Sequence, residues 1–376
     1  MFERLKRMFI KEFLQMFRDP RMRIVLFGVP LIQLVIMAFA MTMDVTAIKT
    51  AIIDQDNTPE SRELLQRFSS SGYFEVAGHV ESLSEINRLL DTSSVQALIC
   101  IQPGFAQDLR GGSTAQVQLL SDGTDSNTTA ILMGYATQIV TQYASELTDR
   151  KIESLMGTGA SPPMITMETR SWFNENLESR YYYVPGLIAI MLILLSMMVA
   201  SIAIVREKEG GTIEQVMVTP IRKIEFILGK TLPYLIIGYI VMTLMFIIAR
   251  FIFGIHIEGS VLLLYCLTGI YLAGNLGLAL LISVSAHTQQ QALLTAFFIL
   301  MPAILLSGFI FPINNMPLPV QYATFMNPMR WYMEIIRGVV MKGVGIAPLT
   351  RAIAGQSILA IIFLMIATTR FRKTLE

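Results

Sequence analysis

Few residues in this chain have the type and spacing that covalent or metal chemistry needs. Gly229-Lys230-Thr231 ends like a phosphate-wrapping loop, but the G-x-x-x-x-G-K-[ST] pattern requires glycine where Ile224 stands, so the triplet reads as a helix start. Leu306-Ser307-Gly308 begins like a nucleotide-gripping ATPase signature, yet Phe309 follows and the surroundings are apolar. His256 and Glu258 lie two apart, without the H-E-x-x-H spacing of a zinc protease. His79 has no Cys or His cluster nearby and reads as a surface or loop histidine. Cys100 and Cys266 fall in different segments, which leaves neither a disulfide framework nor a CxxC metal site. Asn127-Thr128-Thr129 matches a glycosylation acceptor, a pattern so frequent by chance that it carries little weight. These residues point away from an enzyme and from a cofactor held by this chain.

One segment is denser in signal. Arg206-Glu207-Lys208-Glu209-Gly210-Gly211-Thr212-Ile213-Glu214-Gln215 leads through Val216 and Thr219 to Pro220. An apolar helix there runs out into four alternating charges, and the glycine pair permits a sharp reversal. Thr212 and Gln215 have capping-box spacing, which restarts a short helix that ends before Pro220. The plainer reading is an ordinary interfacial loop, where basic residues after a span are common.

The elements around that segment follow from composition. Of 376 residues 53% are hydrophobic and 15% charged, against roughly 25% charged in a soluble domain, which rules in a membrane protein. The net charge of +1 by itself indicates no partner, nucleic acid included. Six runs are long and apolar enough to cross hydrocarbon: 24–43, 184–205, 231–249, 261–286, 292–311 and 352–369. The first is too long for a signal peptide's apolar core and lacks an A-x-A-like site after Met43, so it reads as an uncleaved anchor.

Lys and Arg number 15 over residues 1–23, 206–230 and 370–376, and five in the opposite short loops. Both termini are therefore expected in the cytoplasm. Trp172, Trp331 and Tyr181 to Tyr183 then fall near the outer interface. In the N-terminal segment Phe2, Leu5, Phe9, Phe13 and Met16 recur at 3-to-4 spacing among basic residues, the pattern of an interfacial helix on the lipid bilayer.

Between the first two spans, residues 44–180 carry nine Lys or Arg and 18 Asp or Glu. This is an acidic, water-facing α+β domain. Strands are expected at Ala51–Asp54, Val95–Ile101, Ala115–Leu120 and Ile165–Phe173, and a long helix at Asn127–Leu155. Thr58-Pro59-Glu60 opens another helix, and Ser82 to Glu85 has the spacing of a further capping box.

The segment Arg206, Glu207, Lys208, Glu209, Gly211, Thr212, Glu214, Thr219 and Pro220 resembles the signature of the ABC type-2 exporter permeases. The arrangement of one span, a large external domain and five spans is similar to the drug-efflux-like branch of that family. Trp172-Phe173-Asn174, Val184-Pro185-Gly186, Gln289-Gln290-Gln291 and Leu305-Leu306-Ser307-Gly308 are further echoes, with Glu175 standing where the family often has proline. The resemblance implies six transmembrane helices in the bacterial inner membrane and an outer re-entrant element around 308–330. It implies a second permease, a copy or a paralogue, and two cytoplasmic ABC ATPase subunits that bind the ATP and Mg. By the same resemblance Arg206 to Glu214, with Gly210 and Pro220, couple the chain to those subunits, and the external domain caps the pathway or meets a periplasmic adaptor.

Polar residues inside the spans mark a pathway or a packing seam: Gln33 after Pro30, Asn275 beside Gly269, Ala273 and Gly277, and Ser307. An ion-driven transporter would place carboxylates within the spans, and all six lack Asp and Glu. The alternative reading, a membrane-anchored scaffold or sensor, would need a cytoplasmic output domain that these segments do not supply.

Overall fold

The computed structural model describes residues 2–41, 48–79, 89, 92, 94–121, 126–156, 173, 178–211 and 223–370. The chain divides into two compact units, one of Met1–Met43 with Arg170–Glu376 and one of Asp44–Thr169.

The first unit begins with helix α1 (Phe2–Arg18), whose aromatic spacing places Phe9, Phe13 and Phe17 in succession at ring distances of 5.1 and 5.4 Å. After a helical turn at Pro20–Arg23, α2 (Ile24–Ala40) opens with a π-helical turn. Leu26, Pro30, Leu34 and Ala38, four apart, are buried, while Ile32, Ile36 and Phe39 on the opposite side are exposed.

In the second unit β1 (Ile48–Asp54) is followed by α3 (Pro59–Ser70), which Thr58 caps by accepting from the Ser61 N–H, with Pro59 in the first turn. Then come β2 (Phe74–His79), β3 (Ala97–Ile101), α4 (Phe105–Gly111), β4 (Val117–Ser121) and α5 (Ser126–Met156). The sheet order is β2-β1-β3-β4; β1 pairs parallel with β2 and β3, and β4 runs antiparallel to β3. The α+β expectation left this pairing open, and β1-α3-β2 forms a parallel crossover. Ile48, Ile52 and Ile99 pack with α3 and α5 on one face of the sheet. Ile53, Leu98 and Cys100 pack on the other. The strand expected at 165–173 and the box at Ser82 to Glu85 lie outside the described residues, apart from Phe173.

The first unit resumes with α6 (Ser179–Glu209), α7 (Lys223–Phe253), α8 (Val261–Ser285), α9 (Gln289–Leu305), α10 (Leu318–Ala323), α11 (Pro328–Lys342) and α12 (Ile346–Arg370). Val184 to Ile193 in α6 are buried without interruption, so this helix is the centre of the bundle. Helices α8 and α12 lie closest together: a Cβ on Gly274 would stand 3.3 Å from Ala360, and one on Gly277 would stand 3.0 Å from the Leu364 nitrogen. Gly269 serves a different neighbour, the Tyr239 hydroxyl of α7, so the expected small-residue face is split between two contacts.

Several boundaries differ from expectation. The fifth apolar run was expected to span 292–311, but α9 stops at Leu305, because Pro302 ends its ladder and Gly308, at φ +80°, reverses the chain. The re-entrant element was expected to end near 330. Beyond that point the structure has α11, whose Met329, Tyr332, Ile335, Ile336 and Val339 are buried at helical spacing before Gly343 (φ +62°) stops it. The charges Arg330, Arg337 and Lys342 had made this stretch read as loop. Gly229-Lys230-Thr231 lies inside α7 rather than at a helix start, and α6 runs on to Glu209. Trp331 packs inside the bundle against Gly355. Among the described residues α6, α7, α8 and α12 are long and apolar enough to cross a membrane, and α2 and α9 are shorter apolar helices.

Candidate functional site

The charged tetrad Arg206-Glu207-Lys208-Glu209 forms the last turn of α6, which Gly210 and Gly211 close: the Gly210 N–H donates to the Arg206 carbonyl at 3.0 Å, and Gly211 takes φ +67°. Each of the three residues after Arg206 bonds to a different element.

Glu207 points back into the protein. Its Oε1 lies 2.7 Å from Lys230 Nζ on α7 and 3.1 Å from Lys11 Nζ on α1. Lys230 also donates to Glu12 Oε1 of α1 at 2.6 Å. Lys230, Glu12 and Glu207 are buried, at 2, 3 and 7% exposure, whereas Lys11 reaches the surface. Two carboxylates and two ammonium groups thus balance in a region where an isolated charge would be very costly. Neighbouring residues serve the same junction. A Cβ on Gly229 would come within 2.6 Å of the Met8 sulfur, so glycine is what lets α1 lie against α7. The Thr231 hydroxyl donates to the Ile227 carbonyl at 2.9 Å.

Lys208 turns the other way and donates to the carbonyls of Ala286 at 2.9 Å and Val284 at 3.4 Å, satisfying the C-terminal end of α8. Glu209 accepts from the Gln289 backbone N–H at 3.0 Å and from the Gln289 side chain, at the positive N-terminal end of α9. Thr288 adds its own cap to α9 through the Gln291 N–H at 3.1 Å. The tetrad therefore ties the end of α6 to α1, α7, α8 and α9 together.

Arg206 is half-buried at the same level. Thr212, Glu214 and Pro220 lie outside the described residues. Gln33 is half-buried on α2. Asn275 is fully buried on α8 and makes no hydrogen bond across the helix seam; one turn away the Tyr271 ring stacks on Tyr332 at 4.0 Å. Ser307 shapes the turn after α9: its hydroxyl donates to the Ile304 carbonyl at 2.6 Å and accepts from the Phe309 N–H at 3.1 Å. Among the described residues no group of three or more His, Cys, Asp or Glu could hold a metal ion.

At the opposite end of the bundle Arg337 sits 3.7 Å from the ring centre of Tyr182 and donates to the Gly308 carbonyl at 3.1 Å, joining the start of α6 to the turn after α9.

Sequence reasoning had counted Lys11 only as a surface base, read Lys230 only as a failed phosphate loop and passed over Glu12. The available signal was Glu12, an acid set between Phe9 and Phe13 in the middle of a predominantly basic amphipathic helix.

The sequence model of a family described as ABC-2 family transporter protein matches residues 20–369. The chain is 35% identical over 342 residues, 91% of each chain, to the probable multidrug ABC transporter permease YbhR of Escherichia coli (strain K12). It is 28% identical over 345 residues to the probable multidrug ABC transporter permease YbhS of the same organism, covering 90% of this chain and 89% of that one. To the inner membrane transport permease YhhJ, also of that organism, it is 25% identical over 331 residues, with 86 and 85% covered.

Proposed function

The chain belongs to the ABC-2 family of transporter proteins, and from that premise we propose that it is the permease subunit of an ATP-driven exporter, working in the inner membrane on small hydrophobic or amphipathic compounds. The multidrug permease names of its relatives support the substrate class. ATP and Mg reside in separate cytoplasmic ATPase subunits, and a second permease, identical or paralogous, completes the pathway. Helices α2, α6, α7, α8, α9 and α12 are the six spans, with both termini cytoplasmic and residues 44–169 outside; the surplus of Lys and Arg on the 1–23, 206–230 and 370–376 segments supports this orientation. The acidic outer unit is the surface a periplasmic adaptor would meet.

The observation that carries the reading is the threefold anchoring of Glu207, Lys208 and Glu209. A push on the loop after Gly211 cannot be absorbed locally, because the turn that bears it is bonded to α1, α7, α8 and α9. In this arrangement Thr212, Glu214 and Pro220 belong to the part that docks on the ATPase, and Glu207 to Glu209 pass the movement to the bundle. Arg206, Gly210 and Gly211 shape the junction between the two.

Copurification with a candidate ABC ATPase subunit tests both roles, reading complex yield and ATP turnover. Glu214→Arg is expected to lose the complex with the fold intact. Glu209→Ala is expected to retain the complex and lose the stimulation of turnover by substrate. Binding of no ATPase by the wild-type chain would overturn the exporter reading, and full binding by Glu214→Arg would overturn the docking assignment.

A further inference from the structure

Within the unit Asp44–Thr169, helix α5 is fastened to α3 on one side only. Arg67 of α3 bridges to Glu146 of α5 at 2.7 Å, its guanidinium lies 4.9 Å from the Tyr143 ring centre, and the Tyr143 hydroxyl donates to the Glu60 carbonyl at 3.3 Å. Between α5, the sheet and the helices α3 and α4 lies a cavity of about 540 Å³, which Leu64, Phe68 and Phe105 also line.

Its walls are apolar on both faces. Ile99, Val117 and Leu119 present the sheet, since Ile99 pairs with Leu119 and Ile101 with Val117 so that all four share one face. Met133, Val140 and Leu147, seven apart, present α5. Met133 is 38% exposed, and Val117 and Leu119 are half-buried although they belong to the hydrophobic face of the sheet. Among the described residues no charged side chain lines the space; polar groups stand at its exposed margin, on Gln116, Thr137 and Thr141. Deeper in, the one phenol hydroxyl is already bonded to Glu60.

We propose that this cavity binds one apolar or amphipathic small molecule, its hydrocarbon part between the sheet and α5 and any polar end at Gln116, Thr137 and Thr141. Apolar walls of this kind give water few hydrogen bonds. The volume falls within the range of roughly 300 to 1,000 Å³ of small-molecule sites, which share this pattern of apolar walls and few polar groups. The described lining offers an ionised group no counter-charge, which favours an uncharged ligand. The inference goes beyond the permease reading and does not depend on it: the site belongs to this unit alone, whatever the bundle transports.

The test uses the full chain in lipid nanodiscs and a dodecanol derivative bearing a photoactivatable diazirine, with labelled positions mapped by mass spectrometry. Saturable labelling of α5 and β4 that unlabelled dodecanol competes away is expected. Thr137→Trp, from an exposed position on α5, and Leu119→Trp, from the sheet, should each fill the cavity and abolish that labelling while labelling of the lipid-facing helices stays unchanged. Should Leu119→Trp fail to fold, Thr137→Trp decides alone. Absence of saturable label in this unit, as when another polypeptide covers the groove, or full labelling in a folded Thr137→Trp chain, overturns the proposal.

Discussion

Lys230 and Glu12, 218 residues apart in the chain, meet at 2.6 Å in a buried contact that also holds Glu207. The contact joins three helices at the one level where the apolar bundle gives way to charge.

Replacing Lys230 with Met leaves two carboxylates buried without their shared cation, and is expected to cost about 3–5 kcal/mol. The double change of Lys230 to Met and Glu12 to Leu should recover much of that loss, since the orphaned charge is what costs most. Unfolding in detergent, run as a double-mutant cycle, checks this; equal and additive losses would show that the contact is not a coupled pair.

Glu209→Ala removes the acceptor at the start of α9, and a lost helix cap typically costs about 1 kcal/mol. Hydrogen exchange at the Gln289 amide, which donates to Glu209 at 3.0 Å, should accelerate. Exchange at the C-terminal end of α9 should stay as it was.

Gly277 of the bundle and Gly134 of the unit Asp44–Thr169 should respond oppositely to alanine. At Gly277 a Cβ meets Leu364 backbone at 3.0 Å, so Gly277→Ala is expected to destabilise by about 1–3 kcal/mol through overpacking. Gly134 in α5 has open space around its Cβ position, and Gly134→Ala is expected to stabilise by up to about 1 kcal/mol through helix propensity. Thermal unfolding of both variants beside wild type gives the signs.

Acid should loosen the unit Asp44–Thr169 through Asp56. The Thr58 hydroxyl, and then the backbone N–H groups of Ala106 and Gly104, hold its carboxyl below the usual value of 3.8. A carboxyl depressed in the folded state contributes stability that is complete above the unfolded value and lost as pH falls through the lower folded one. Hydrogen exchange in β1, α3 and α4 should therefore rise below about pH 4, and Asp56→Asn should flatten that dependence. An unchanged pH profile in the variant would assign the acid response to Glu60 and Glu146, whose carboxyls are likewise lowered, mainly by Arg110 and Arg67.

At the far end of the bundle, Arg337→Gln should weaken the hold of the start of α6 on the turn after α9, leaving the Tyr182 hydroxyl bond to the Gly308 carbonyl at 3.4 Å. It removes both the 3.1 Å bond to the Gly308 carbonyl and the stacking on Tyr182. Faster hydrogen exchange at Phe309, with the α8 and α12 seam unchanged, is the expected signature.

The sequence by itself determined the features that depend on neighbours along the chain. Apolar runs located the bundle helices, and Thr58-Pro59 with its downstream spacing located the start of α3. The charged run after Val205 stands out along the chain, because alternating charges and paired glycines leave a linear trace. What only the tertiary structure decided were relationships with no linear trace. Lys230 looked like part of a broken phosphate loop until α1 brought Glu12 to it. Glu207, Lys208 and Glu209 had the composition of a solvent-facing docking loop, yet their partners lie on α1, α7, α8 and α9. Helix α11 was hidden because Arg330, Arg337 and Lys342 read as loop charges, although Arg337 bonds inward to Gly308. A charge's cost or benefit depends on what surrounds it after folding, and periodicity carries no record of that.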